Sequence, residues 1–160
     1  IAGLKFFNVY GPNEYHKGRM SSVILHAYQI IERTNEMLLF RSHRPDIADG
    51  EQARDFVYVE DIARVIRFFM DTRKHSGIYN VGTGMARTYL DLAKAVFKSM
   101  GRTENIGFID TPADLLGKYQ YYTCANIGKL RSIGYNQKFY TLEEGIDEYV
   151  NSFLKDSVCY

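Results

Sequence analysis

Apolar residues in this chain alternate between short continuous runs and stretches with helical spacing. Short apolar runs are typical of buried strands, and they lie at residues 1–9, 37–40, 54–59, 77–81 and 106–109. A single apolar stripe is typical of a helix, and such stripes lie at residues 21–32, 60–70, 88–101 and 126–133 and from residue 141 onward. Strands that alternate with helices in this way favour an α/β fold.

Two of the predicted helices carry a capping signal at their first residue. Thr88 stands three residues before Asp91, and Thr141 stands three residues before Glu144, which is the spacing of a capping box. The last helix has a continuous stripe that should be buried, made of Leu142, Ile146, Tyr149, Val150, Phe153 and Leu154. Residues 41–52 predict a polar loop, whereas residues 111–122 are polar and aromatic and fit neither pattern.

A polar, cationic loop follows the first predicted strand. The strand passes through Asn8, breaks at Gly11-Pro12 and leads to His16, Lys17 and Arg19. In open α/β sheets, ligands bind just beyond the carboxyl ends of the strands, so this loop is a candidate site. The alternative is an ordinary surface loop with a solvated lysine.

Composition narrows the class of protein. The 160 residues are 46% hydrophobic and 24% charged with a net charge of +1, which is typical of a globular domain and predicts neither a nucleic-acid nor a membrane partner. Cys124 and Cys159 have no metal-ligand spacing, so we expect a reduced, cytoplasmic setting and no metal site. The chain starts at Ile1 inside a strand, which leads us to expect the C-terminal part of a longer protein.

Three motifs give the chain a family resemblance. Residues 7–12 (FNVYGP), 54–62 (RDFVYVEDI) and 79–84 (YNVGTG) resemble, in order, signatures of extended short-chain dehydrogenase/reductases that act on nucleotide sugars. The resemblance implies that residues 1–160 are the C-terminal part of such a protein, with the last Rossmann strands and the smaller substrate-binding domain. The glycine-rich fingerprint and the catalytic tyrosine of the dinucleotide-binding half are absent from this sequence.

Two further segments resemble one branch, the ADP-glyceromanno-heptose 6-epimerases. They are residues 16–23 (HKGRMSSV) and 117–123 (GKYQYYT). The resemblance implies epimerisation of ADP-D-glycero-D-manno-heptose at C6 by transient oxidation with NADP. This reaction serves biosynthesis of the inner-core heptose of lipopolysaccharide. The resemblance also implies a homo-oligomer, specifically a pentamer. Three alternatives stay open. The cofactor could be NAD, the enzyme could be another nucleotide-sugar epimerase or dehydratase, and the chain could be a non-catalytic binding module. The isolated chain should be inactive.

Lys17 is the residue to which the resemblance gives a catalytic role. Inversion at C6 needs an acid/base group on each side, which implies the absent tyrosine on one face and Lys17, near the cofactor, on the other. An ammonium has an ordinary pKa near 10.4, so neighbours such as Arg19 or Arg54 and partial desolvation would have to favour its neutral form. A solvated or phosphate-facing lysine is the alternative.

The resemblance also implies contacts close to the sugar and the nicotinamide. Asn8, Arg19 and His26 would touch the substrate, and Val9 would lie against the nicotinamide ring. Asn8 also fits an Asx-type turn that holds the Gly11-Pro12 bend, and His26 also fits a satisfied core histidine. The family often has a small serine where Arg19 stands, so the kind of contact made there stays open.

The nucleotide end of the substrate is implied at three other places. The matching residues are Phe40, Arg41, Ser42 and His43 over the ADP moiety, Arg54 on the phosphates and Tyr119 on the sugar nucleotide. A guanidinium suits phosphate because its planar fork donates two charge-assisted bonds. The alternatives are a solvated Arg41, an ion pair of Arg54 with Asp55 or Glu51, and simple packing of Tyr119. The family's loop before Arg54 is shorter, so residues 44–52 carry an expected insertion. The glycine pair at 82–84 favours a tight turn over a phosphate site.

Overall fold

A computed structural model describes residues 1–113 and 120–156. Its strands are Ala2–Phe6 (β1), Asn8–Tyr10 (β2), Met37–Phe40 (β3), Ala53–Arg54 (β4), Phe56–Tyr58 (β5), Gly77–Val81 (β6), Arg87–Thr88 (β7) and Ile106–Ile109 (β8). Its α-helices are Val23–Thr34 (α1), Val59–Thr72 (α2), Tyr89–Ser99 (α3), Gly128–Ser132 (α4) and Leu142–Tyr149 (α5). A π-helical turn over Val150–Leu154 extends α5.

The strands pair mainly in parallel across intervening helices. β1 pairs with β6, β2 with β5 and β3 with β8, all parallel, whereas the short β4 and β7 pair antiparallel. Parallel neighbours need a crossover connection, and α1, α2 and α3 lie in those connections. The α/β class predicted from the alternation is therefore confirmed.

The first predicted strand, residues 1–9, is in fact two strands that separate at Phe7. The backbone N–H of Phe7 donates to Val81 on β6, and the N–H of Asn8 donates to Asp55 just before β5. The chain therefore changes its pairing partner within two residues, which an apolar run cannot reveal. This change moves Asn8 and Val9 away from β1 and places them on the strand that leads into the candidate site.

Other boundaries differ from the prediction by short distances. The 54–59 strand is interrupted at Asp55, and Val59 begins α2 instead of ending the strand. The two-residue β7 was not predicted, because Arg87 and Thr88 form a strand only through their pairing with β4. Both predicted capping boxes are present, with Thr88 and Thr141 each accepting from the residue three positions later.

The larger hydrophobic core lies among α1, α3 and α5. The stripe predicted on the last helix is confirmed, because all six of its residues are at most 7% exposed. Gly145 on α5 lies against Tyr10 of β2, so closely that an added methyl group would collide with the Tyr10 hydroxyl. This contact brings the C-terminal helix onto the strand that ends at the candidate site. No helix in the described ranges is long and apolar enough to cross a membrane.

Candidate functional site

A small cavity lies where β2 ends and α1 begins, and we call it the strand-end cavity. Its volume is about 190 Å³. Its lining consists of Asn8, Val9, Tyr10, Glu14, Lys17, Met20, Ser21, Ser22, Val23, Ile24 and Phe56. The structure thus brings Asn8, Val9 and Lys17 together around one space, next to the amino terminus of a helix. The roles given to these residues by the resemblance stay predictions.

Lys17 is carried by a short 3-10 segment, Tyr15–Met20, which we call the Lys17 turn. The sequence predicted only a loop here. Gly18 breaks the segment with φ of 51°, a left-handed conformation that favours glycine. Lys17 and Arg19 are both exposed, so this chain by itself does not desolvate the Lys17 ammonium as the acid/base role requires.

Glu14 anchors this turn to α1 and was not predicted as a site residue. It is only 3% exposed. Its carboxylate accepts hydrogen bonds from the backbone N–H of Ser22 at 2.7 Å, from the Ser22 hydroxyl at 2.6 Å and from the Tyr149 hydroxyl at 3.1 Å. Ser22 is the N-cap of α1, and its hydroxyl also accepts from the N–H of Leu25. A glutamate in a polar loop looks solvated in sequence, so no local signal pointed to it.

A second, apolar cavity of about 340 Å³ adjoins the first, and we call it the β3 cavity. Its lining consists of Val23, His26, Met37, Leu38, Leu39, Phe40, Gln52 and Tyr89. Val23, in the first turn of α1, lines both cavities, so they are neighbours at this residue. His26 is half-buried at the β3 cavity and Phe40 forms part of its wall, which places two more predicted residues beside the strand-end cavity.

Gln52 supports the wall of the β3 cavity and was also missed. It is 1% exposed, and its amide N–H₂ group donates to the backbone carbonyls of Phe40 and Arg41, each at 3.3 Å. These bonds join the end of β3 to the start of β4 across the intervening loop. The position of Phe40 is therefore fixed by a residue at the far end of the loop that follows it.

Arg54 lies beside the β3 cavity but is engaged with the protein. It is 7% exposed, and its guanidinium lies 5.8 Å from the centroid of the Tyr89 ring. It donates to the carbonyl of Ala53 at 2.8 Å and to the carbonyl of Gln120. Asp55, one of the two ion-pair partners that the sequence left open for Arg54, binds the 83–84 segment and Ala125.

Asp55 organises the junction between the second and third motifs. Its carboxylate accepts from the N–H and hydroxyl of Thr83, from the N–H of Gly84 and from the N–H of Ala125, at 2.7–3.0 Å. The backbone N–H groups of Thr83 and Gly84 are thus used inside the fold, which speaks against a phosphate site at the glycine pair. Gly82 is required because an added Cβ would lie 2.8 Å from the carboxylate and 2.7 Å from the Ala125 methyl.

The loop between β3 and β4 folds against two distant segments. Arg41 is half exposed and pairs with Asp49 at 4.0 Å and Asp110 at 3.6 Å, so it is not the isolated solvated charge that the sequence left open. The backbone N–H of Ser42 donates to Asp49 at 2.7 Å, and the N–H of His43 donates to the Tyr121 hydroxyl at 3.1 Å. Arg41, Ser42 and His43 do not line either cavity.

Two of the sequence predictions fall where the structure gives no description. Tyr119 and its neighbours Gly117 and Lys118 in the 117–123 motif lie outside the described residues, as does Cys159. A larger groove of about 480 Å³ beside α3 is lined by residues that include Asp91, Lys98 and Glu143 but none of the predicted site residues. In the ranges 1–113 and 120–156, no cluster of His, Cys, Asp and Glu could hold a metal ion.

Curated relatives match almost the whole chain. The protein of Fusobacterium nucleatum is 45% identical over 164 residues, covering 99% of this chain and 49% of its own length. The protein of Nitratidesulfovibrio vulgaris is 53% identical over 154 residues, covering 96% of this chain and 48% of its own length. Both are named ADP-L-glycero-D-manno-heptose-6-epimerase. The chain spans about half the length of these relatives.

Solved structures share the fold. The crystal structure of ADP-L-glycero-D-manno-heptose-6-epimerase from Helicobacter pylori has a TM-score of 0.77 and 32% identity, over 94% of this chain and 43% of its own. UDP-glucose 4-epimerase of Thermus thermophilus in complex with NAD has a TM-score of 0.74 and 25% identity, over 94% of this chain and 45% of its own. The family model described as "NAD dependent epimerase/dehydratase family" matches residues 1–82, and the chain belongs to that family.

Proposed function

We propose that this chain is the substrate-binding, C-terminal half of an ADP-heptose 6-epimerase, which interconverts the D-glycero and L-glycero forms for lipopolysaccharide synthesis. The observation that carries the proposal is 45–53% identity, along nearly the whole chain, to relatives with that name. The strand-end cavity supports it, because the HKG segment found in sequence supplies the Lys17 that lines this cavity.

Within this proposal, the two cavities bind different parts of the substrate. The strand-end cavity offers Asn8 and Lys17, a polar amide and a cation, and suits the heptose around C6. The β3 cavity is apolar and carries Phe40 and His26, which suits the flat face of a nucleotide base. Arg54 lies beside this cavity, and we propose that one edge of its guanidinium turns to the substrate phosphates when they bind.

Lys17 is proposed as the acid/base residue on one face of C6. It takes a proton from the C6 hydroxyl of one epimer as that carbon is oxidised, or returns one as the ketone is reduced. A neutral amine is needed for the first of these steps, so the exposed ammonium must be covered when the full site is assembled. β2 ends at Tyr10 and the Lys17 turn begins at Tyr15, so the Gly11-Pro12 bend and Glu14 between them determine where the ammonium lies relative to Asn8.

The residues of this chain fit one end of a nicotinamide cofactor. Val9 lines the strand-end cavity with its half-buried aliphatic side chain, a suitable surface for a planar ring. At about 190 Å³ the cavity is below the roughly 300–1,000 Å³ of ordinary ligand pockets, so it can hold only part of a dinucleotide. When bound, the cofactor supplies reversible hydride transfer at C6. We propose NADP, with a cytoplasmic homo-oligomer, from the family resemblance.

The test is turnover by the full-length protein that contains this chain. Purified protein is given ADP-D-glycero-D-manno-heptose, and the two epimers are separated by chromatography and counted over time. UDP-glucose serves as the matched control substrate, because UDP-glucose 4-epimerase of Thermus thermophilus shares this fold. Conversion of ADP-heptose alone supports the proposal, whereas conversion of UDP-glucose alone favours the second candidate, a different nucleotide-sugar epimerase.

A second experiment tests whether catalysis needs the other half of the protein. The isolated chain should show no turnover, because the glycine-rich fingerprint and the tyrosine are not in its sequence. It should still bind the ADP-sugar weakly through the two cavities, and isothermal titration with ADP-heptose measures this. Turnover by the isolated chain would overturn our account of the other half.

A further inference from the structure

Glu14 is a buried carboxylate that the proposed chemistry does not use. It lies one residue before the Lys17 turn and is 3% exposed. Burying a carboxylate is costly unless its oxygens are hydrogen-bonded, and here three donors satisfy it. They are the N–H of Ser22, the hydroxyl of Ser22 and the hydroxyl of Tyr149. We therefore ask which local structure the buried carboxylate supports, and Lys17 is the predicted site residue that lies beside it in sequence and lines the same cavity.

The main chain of the same residue closes the Lys17 turn. The carbonyl of Glu14 accepts from the N–H of Lys17 at 3.0 Å and from the hydroxyl of Ser21 at 3.1 Å. Ser21 follows the last residue of the turn, and its N–H and hydroxyl also donate to the carbonyl of Gly18. Both ends of the turn are therefore fastened to Glu14 or to a residue that it binds.

Tyr149 connects this anchor to the core. It is completely buried on α5, 135 residues after Glu14 in sequence. The centroid of its ring lies 6.5 Å from that of the Tyr10 ring. Burial and the adjacent Glu14 carboxylate raise the pKa of the Tyr149 hydroxyl, so it stays protonated and donates. The Glu14 side chain is thus held from one side by α1 and from the other by α5.

We infer that Glu14, held by Ser22 and Tyr149, is the positioning residue of the Lys17 turn. Its carboxylate fixes the start of α1 and the last core helix relative to one another, and its carbonyl fixes where the turn begins. The consequence for catalysis rests on the proposed function, because it assumes that Lys17 acts at C6. The effect on the turn itself does not depend on that assumption.

The first experiment measures the turn directly, by trypsin cleavage after Lys17 and Arg19, both exposed. Peptides are quantified by mass spectrometry, and cleavage after the exposed Lys74 is the internal reference. Loss of hydrogen bonds to a charged group should favour local opening, so Glu14→Ala should raise the relative rate by roughly tenfold to a hundredfold. Tyr149→Phe keeps the ring and should give a smaller rise in the same peptides.

Tyr28→Phe is the matched control. The Tyr28 hydroxyl donates to Glu32 at 3.3 Å on the same helix α1, so this variant also removes a bond between a tyrosine and a glutamate. It leaves all three hydrogen bonds of the Glu14 carboxylate in place and should leave cleavage after Lys17 close to wild type. All variants are first compared by thermal unfolding, so that only folded protein is assayed.

The second experiment separates positioning from a purely structural role by steady-state kinetics of the full-length protein with ADP-heptose. Positioning predicts that Tyr149→Phe lowers kcat by roughly tenfold or more with KM nearly unchanged, because a displacement of about 1 Å can cost 10²-fold. Glu14→Gln keeps one acceptor oxygen and should recover part of the kcat lost in Glu14→Ala.

The outcomes are distinguishable. Unchanged cleavage after Lys17 in folded Glu14→Ala would overturn the inference, as would increased cleavage with an unchanged kcat. If the wild-type protein does not turn over ADP-heptose, the proposed function fails, and the cleavage measurements still decide whether Glu14 holds the turn.

Discussion

Lys17 and Arg54 are the two cations that the sequence assigns to catalysis and to phosphate binding, and the fold treats them in opposite ways. Lys17 is exposed at the rim of the strand-end cavity, on a short turn. Arg54 is 7% exposed, stacks beside Tyr89 and donates to two backbone carbonyls. Motifs in the sequence therefore point to both cations, but only Lys17 has its charged group at the surface.

The two regions also differ in what would be lost by mutation. The Lys17 side chain makes little contact with the core, so its removal should change chemistry more than folding. The 54–62 motif is almost entirely buried, and Asp55 within it joins three separate segments by hydrogen bonds. Substitutions there should change stability first. The following predictions test this contrast.

The largest effect is expected from Lys17→Met in the full-length protein. General acid/base catalysis is worth roughly 10²–10⁴-fold, so turnover should fall by at least that range, while circular dichroism and ADP-sugar binding stay near wild type. Lys74→Met, at an exposed lysine in a distant loop, is the control and should turn over normally. Near-normal turnover in folded Lys17→Met would remove this residue from the mechanism, and loss of binding together with turnover would make it a substrate ligand.

A large loss of stability is expected from Asp55→Ala. The substitution leaves the backbone donors of Thr83, Gly84 and Ala125 without their acceptor, and each unsatisfied buried donor costs about 1–3 kcal/mol. Urea unfolding of the chain should show a loss of roughly 3–5 kcal/mol.

Asp71→Ala is the control for this measurement. Its carboxylate is largely exposed and pairs with Arg67 at 3.7 Å, an interaction worth about 0–1 kcal/mol. Equal losses in the two variants would mean that Asp55 does not hold the junction.

A smaller effect is expected from Arg54→Ala on ligand binding. We expect the affinity of the full-length protein for the ADP-sugar to fall by roughly 1.5–3 kcal/mol, the range for a hydrogen bond to a charged group, with little change in NADP affinity. Arg41→Ala is the comparison, because this half-exposed arginine pairs with Asp49 and Asp110, whereas Arg54 lies against the Tyr89 ring that lines the β3 cavity. Titration of both ligands measures the effect. An equal loss for NADP would show that Arg54 acts only through the fold, by holding Gln120.

The sequence predicts well what depends on local periodicity. The buried stripe of the last helix and the two capping boxes need only residues within a few positions of one another, and both are confirmed. What it misses depends on distant partners. Glu14 and Gln52 are polar residues in polar loops, and their burial follows from Tyr149 and Phe40, which no nearby spacing reveals.

The same reason explains the error at Phe7. An apolar run predicts a buried strand but not the partner of each residue, and here the partner changes from β6 to β5. The roles of Lys17, Asn8 and Val9 came from motif resemblance alone. Physical reasoning from the residues placed them only at the end of a strand.

The smallest effect concerns the second buried acid of the 54–62 motif. Asp61 is fully buried on α2, and burial raises the pKa of its carboxyl from 3.8 to about 6, although the N–H of Tyr140 and the Arg64 guanidinium oppose the rise. The folded chain thus binds this proton more tightly than the unfolded chain does. Its contribution to the free energy of unfolding is full below about pH 4 and is lost as the pH rises through about 6.

Asp61→Asn removes this titration while keeping an oxygen that can accept from Tyr140. The stability of the wild type relative to Asp61→Asn should therefore fall by about 1 kcal/mol between roughly pH 5 and pH 6.5, because an ionised Asp61 is penalised by its burial. Urea unfolding of both proteins at each pH measures the difference, and comparison at equal pH cancels the titration of all other groups. A difference that stayed constant, or grew with pH, would show that Asp61 is ionised throughout and that Arg64 and Tyr140 outweigh the cost of burial.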